Sequence, residues 1–176
     1  MTHGDPTNPK KNPHPVKRYE VTATADAPGP WDSIKGYIAY EVTNLGCVPR
    51  GSFTGGQNVP NTGYDIEMKR VDDKTWRGYF YRDALQDSDY FDLGVCHWDV
   101  TSVGTVFVIH GEAFSSSFLL GDFLKGPQSS YFKKSAYGDM TLVRYGAQDY
   151  SISDTDVIQH PDAYFPITVT VKEATP

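Results

Sequence analysis

Runs in which apolar and polar residues alternate, separated by clusters of Gly, Pro, Asp and Asn, constrain this chain more than any other feature. A period of two is the strand period, because successive side chains then point to opposite faces. Residues 17–25 place Tyr19, Val21 and Ala23 on one face, and Ala27-Pro28-Gly29-Pro30 ends the run. Residues 33–43 set Ile34, Ile38, Tyr40 and Val42 against Lys35, Glu41 and Thr43, with Gly36 a candidate bulge. Residues 64–71 and 75–82 read as a hairpin joined by Asp72-Asp73-Lys74, with Tyr64, Ile66, Met68, Trp76 and Phe80 on a common face. Residues 96–109 form one or two strands bent near Gly104, and residues 113–120 return across a turn at His110-Gly111. Residues 121–138 read as irregular, residues 140–145 as a strand and residues 167–172 as the closing strand. Helical periodicity is confined to a short turn around residues 153–159. The predicted fold is all-β: an antiparallel β-sandwich or barrel-like sheet with long irregular loops and little helix.

A chain of 176 residues fits one domain and buries roughly 70% of its unfolded surface, enough for a core of its own. Residues 1–15 stand apart. They carry Pro6, Pro9, Pro13 and Pro15 and no large apolar residue between Met1 and Val16. Such a segment buries too little to offset its ordering entropy, and its prolines favour extended backbone. It is expected to be a tether ahead of a single β-rich domain spanning residues 16–176.

Net charge is −6 and the pI about 5.2, against the basic stripe that nucleic acid requires. The compact basic pairs Lys10–Lys11, Lys17–Arg18 and Lys133–Lys134 read as solvated surface charge. An acidic surface instead steers a basic protein partner. No apolar run approaches the ~20 residues that span a bilayer. Cys47 and Cys96 are the only cysteines, and an even pair in an exported domain reads as a disulfide closing a long loop. The alternative is two buried thiols. The chain is expected to follow a removed export signal, its membrane link being a lost N-terminal lipidated cysteine; the alternative is a cytosolic protein with a floppy start.

No catalytic signature is complete. His110 and Glu112 make an H-x-E pattern without the P-C-x-x-C of zinc deaminases. Ser115-Ser116-Ser117 lacks the G-x-S-x-G turn that presents a nucleophile. Asp87, Asp89 and Asp92, and the run Asp149, Ser151, Ser153, Asp154 and Asp156, offer oxygens at spacings that suit calcium, but neither completes an EF-hand loop and both read equally as turn chemistry. No carboxylate pair stands out for glycoside hydrolysis, and Trp31, Trp76 and Trp98 do not cluster. No cofactor is implied.

Two long polar loops, residues 48–63 and 83–94, are the expected recognition elements, since loops on a rigid sheet usually carry binding. Their candidate contact residues are Phe53, Asp87, Asp89, Tyr90, Phe91 and Asp92. The layout Cys96-His97-Trp98, Val106-Phe107-Val108-Ile109-His110-Gly111, Phe114 and Phe165-Pro166-Ile167-Thr168-Val169-Thr170-Val171, behind a tether, resembles exported lipoproteins of Gram-negative bacteria. Some of these are immunity proteins to type VI secretion effectors, phospholipases included. The resemblance implies a periplasmic, non-enzymatic protein that binds a cognate toxin. The competing expectation is an envelope carbohydrate- or ligand-binding sandwich, calcium-dependent in one version.

Overall fold

A computed structural model describes residues 3–176. Among the described residues nine strands form two antiparallel sheets. They are β1 (Arg18–Ala25), β2 (Ser33–Val42), β3 (Asn61–Glu67), β4 (Lys69–Asp72), β5 (Thr75–Tyr81), β6 (Trp98–Ile109), β7 (Glu112–Leu119), β8 (Gln128–Lys133) and β9 (Tyr164–Glu173). One sheet has the order β4-β5-β1-β9-β8 and the other β3-β2-β6-β7. Neither closes on itself, so the fold is a β-sandwich and not a barrel. Two short helices, α1 (Leu120–Phe123) and α2 (Thr155–Gln159), lie in connections. None of the described helices is long and apolar enough to cross a membrane.

Alternation does the work expected of it. Tyr19, Val21, Ala23 and Ala25 of β1 and Phe165, Ile167, Val169 and Val171 of β9 are all buried. Ile38, Tyr40 and Val42 of β2 and Val103, Phe107 and Ile109 of β6 face them from the other sheet. The packing is aromatic where the sheets meet. Trp76 of β5 sits edge-on to Phe107 of β6 at 5.5 Å between ring centroids, and Phe114 of β7 meets Phe132 of β8 at 5.2 Å. Edge-to-face pairs of this kind add about 0.5–1.5 kcal/mol each beyond the area they bury. At one end Arg82, just past β5, grips Asp99 of β6 through two parallel bonds of 2.8 and 2.9 Å. The Tyr40 hydroxyl donates to the Tyr81 carbonyl beside it, so the sheets are tied by polar contacts as well.

Several expectations are corrected. The run over residues 64–71 is not one strand: β3 pairs with β2, and only β4 forms the hairpin with β5. The chain changes sheet at Met68. Gly36 is not a bulge; it pairs in register with Thr105 and Ile66. The register shift lies at Ala39/Tyr40 instead, where β6 carries Thr101 as an extra residue. β6 runs unbroken through Gly104. Residues 128–133, within the stretch expected to be irregular, form β8 because Phe132 and Ser130 bury against β9. Residues 140–145 are not a strand. Asp139 accepts from the Thr141 amide at 3.0 Å and starts a tight turn there, leaving Met140 and Tyr145 exposed.

The change of sheet depends on two glycines. A Cβ on Gly36 would meet Cβ of Ile66 at 2.9 Å, and one on Gly78 would meet the Glu67 carbonyl oxygen at 2.6 Å and the Met68 sulfur at 2.7 Å. Their bareness lets the chain pass between the sheets. Gly78→Val is therefore expected to destabilise the domain by about 1–3 kcal/mol, the range for forcing atoms into a packed site. Urea unfolding checks this; a variant of unchanged midpoint would show that the crossing is loosely packed.

Candidate functional site

At one end of the sandwich, the connection from β2 to β3 and the connection from β5 to β6 come together. Both are long, and neither could hold a shape by its own apolar content. The Cys47–Cys96 disulfide joins them, with Cα atoms 5.4 Å apart. Asn44 joins them again: its amide nitrogen donates to the Val95 carbonyl at 2.7 Å and its oxygen accepts from the His97 amide at 2.7 Å. Within the first loop, Gln57 Nε2 donates to the Leu45 and Val48 carbonyls, both at 2.8 Å. A small turn closes between Arg50 and Gln57, with the Gly51 amide bonded to the Gly56 carbonyl at 2.7 Å. Gly55 takes a positive φ of 65° there. Phe53 sits at the tip of this turn, fully exposed.

The second loop is built around its aspartates. Asp87 accepts from the Trp98 amide at 3.0 Å with one oxygen and pairs with His97 Nδ1 at 2.7 Å with the other. Asp92 adopts a positive φ of 60° and meets His3 Nε2 at 3.2 Å. Asp89 contributes its carbonyl to His3 Nδ1, while its own Oδ1 is buried without a hydrogen-bond partner. Tyr90 is buried; its hydroxyl accepts from Trp98 Nε1 at 3.0 Å. Phe91, half-buried, stands edge-on to the Tyr90 ring. Of the six candidate contact residues, Phe53, Asp87 and Asp92 are exposed and Phe91 is half-buried. Tyr90 props the loop from within. Asp87 and Asp92 carry charge that is already engaged. Among the described residues no group of three or more His, Cys, Asp or Glu is placed to hold a metal ion.

The segment expected to be a tether lies on this second loop. Its described residues form no strand or helix beyond a single bridge, as the prolines dictate, yet they are not loose. The Gln86 amide donates to the Lys10 carbonyl, and the Asn12 amide to the Ala84 carbonyl, each at 2.8 Å. Pro9 is buried, and Gly4 rests against the Tyr90 ring. Asp83 fixes the end of the segment by accepting from the Val16 and Lys17 amides at 2.9 and 2.8 Å. Backbone hydrogen bonds to a loop supply what apolar side chains could not. Burial pushes the Asp83 carboxyl upward, but the Val16 and Lys17 amides, its own amide and the Lys17 charge together set it below the usual carboxylate range.

A groove of about 740 Å³ opens between these elements. Val48, Val59, Pro60 and Phe91 form its apolar surface, Pro6 and Thr7 of the N-terminal segment one wall, and Arg50, Gln57 and Asn58 its polar side. Of these, Arg50, Val48 and the N-terminal wall escaped the sequence reading as individual residues, as did Asn44 in the frame, because no spacing or motif marks them.

The other candidates do not converge. His97 precedes β6 and His110 follows it, so 12 residues of extended strand hold them roughly 40 Å apart. His110 and Gly111 both take positive φ, 50° and 81°, in the two-residue turn of the β6–β7 hairpin. Ser116 faces inward against Thr105, and its neighbours face out. Glu112 is buried, accepting from the Gly138 amide at 3.1 Å; burial raises its carboxyl pKa. Asp154 of the second oxygen-rich run caps α2 through the Asp156 amide. Comparison with known protein families, curated proteins and solved structures finds no match for this chain.

Two outcomes follow from this geometry. Replacing Cys47 and Cys96 together by Ser is expected to cost about 2–4 kcal/mol in urea unfolding, since the bond closes a loop with 49 positions between its ends. A free-thiol assay on unreduced, unfolded protein should read zero, and two titratable thiols would contradict the bond. Asp83→Asn should release the N-terminal segment, seen as faster tryptic cutting at Lys10, Lys11 and Lys17 at neutral pH. In the unaltered protein a depressed carboxyl contributes above the ordinary aspartate pKa of about 4 and loses that contribution as pH falls through its lower folded value. The Val16 and Lys17 amide resonances should therefore hold steady down to that range and move only in more acidic solution.

Proposed function

We propose that this is a non-enzymatic binding protein of the periplasm, an immunity protein that neutralises a cognate secreted toxin by covering its active site with the loop end of the sandwich. The observation that carries this reading is Phe53, a fully exposed aromatic at the tip of a turn held in a disulfide-clamped frame. A large apolar side chain held out in water on a braced loop is what the centre of a protein interface requires. Leu45, Leu93 and Val95 are also exposed along the two loops, next to Cys47 and Cys96. The disulfide supports an oxidising compartment such as the periplasm. The resemblance of layout to exported immunity lipoproteins supports the class of partner. In such an arrangement the native chain reaches the membrane only through an N-terminal lipid anchor.

A second reading, an envelope protein that binds a small ligand, is favoured by the groove beside the Arg50–Gln57 turn. The direct test of the first is binding to the products of toxin genes found next to this one. Calorimetric titration should give a dissociation constant below micromolar, with an interface of about 800 Å² on this side. Phe53→Ala should weaken it at least about ten-fold, as for a hot-spot aromatic, with an unchanged melting temperature. Binding indifferent to Phe53→Ala, or no binding by any neighbouring toxin, would overturn the reading.

A further inference from the structure

We infer that the groove between the clamped loops is a binding site for a small amphiphile with an apolar body and a single carboxylate head, the head meeting Arg50. The site is distinct from the Phe53 tip and does not rest on the toxin-binding reading.

Size comes first. A groove of about 740 Å³ lies within the roughly 300–1,000 Å³ typical of small-molecule sites. Its apolar surface is contributed by Val48, Val59, Pro60 and Phe91, and the proline at position 6 adds to it from the N-terminal wall. The shape is held before any ligand arrives. The disulfide fixes one end of each loop, and Gln57 ties the first loop to two of its own carbonyls. Rigid walls lower the ordering cost of binding.

Charge then selects the head group. Three carboxylates of the neighbouring loop are already engaged, Asp83 with two backbone amides, Asp87 with Trp98 and His97, and Asp92 with His3, while Asp89, whose Oδ1 is buried without a partner, does not line the groove. Arg50 is different. Among the described residues no carboxylate lies within 4.0 Å of its guanidinium nitrogens, and its single side-chain hydrogen bond goes to the Gly55 carbonyl at 3.3 Å. A guanidinium carries five N–H donors in a planar fork, so one such bond leaves capacity for a bidentate carboxylate. The protein as a whole carries −6, so a cationic amphiphile would be drawn to it without specificity. Preference for the anion is therefore the signature of the groove itself.

The probes are decanoate, decyltrimethylammonium and decyl maltoside, which share a tail and differ in head charge, each titrated below its micelle concentration into the isotopically labelled, oxidised protein. Decanoate is expected to move the Val48, Arg50, Gln57, Asn58 and Phe91 amide resonances saturably, while the other two leave them in place. Arg50→Gln should weaken decanoate by about ten-fold or more, the effect of losing a charged hydrogen-bond donor, and Arg50→Lys should recover part of that loss. Phe53→Ala should leave decanoate binding unchanged, which separates this site from the proposed toxin contact. Absence of saturable shifts with decanoate, equal response to all three heads, or indifference to Arg50→Gln would overturn the proposal.

Discussion

The covalent link between Cys47 and Cys96 is the constraint on which the loop end of this molecule depends. Each loop alone is too polar to hold a shape. Joined at one point, the two need only short-range hydrogen bonds to define a surface, and Asn44 and Asp87 supply them by closing onto backbone next to Cys96. The N-terminal segment then finds a fixed loop to lie along, and adds a wall to the groove. The order of these dependencies is physical: bond, loop frame, strap, groove.

Behind that end the sandwich provides the rigid support. Aromatic residues from both sheets interlock through Trp76, Phe107, Phe114, Phe132 and Phe165, and Trp31 packs edge-on against Phe107 and Phe114. That cluster lies toward the far end of the strands, Phe107 opposite Ile34 and Trp76 opposite Ala23, whereas the loops depart at Val42, Tyr81 and Trp98. The Arg82–Asp99 pair sits close to those ends and ties β6 to the residue that follows β5. With partial exposure on both sides it fixes geometry more than it adds stability.

Much of the fold was legible because burial on one face imposes alternation. Tyr19-Val21-Ala23 and Ile167-Val169-Val171 announce β1 and β9, which pair with each other. What escaped was tertiary in origin. β8 exists because β9 offers an edge to residues 128–133, and nothing local distinguishes Gln128-Ser129-Ser130 from a loop. The apparent strand through Met68 hides a change of sheet that only Gly36 and Gly78 make room for. In the loops, the sequence located the cysteine pair. It left the aspartates open between ligand contact and turn chemistry, since a carboxylate that builds a turn and one that awaits a ligand look alike until their partners are known. Arg50 escaped for the opposite reason: its significance lies in the partners it lacks.

The central claim is that the loop end is a preformed surface held by its cross-link. Backbone order parameters from ¹⁵N relaxation of the oxidised protein test it most directly. The account predicts that amides of residues 44–59 and 83–97 have values near those of β2 and β6, about 0.85, the level of rigid backbone. Values below about 0.6 through these loops, with the strands rigid, would contradict it and would mean that no surface exists there before a partner arrives.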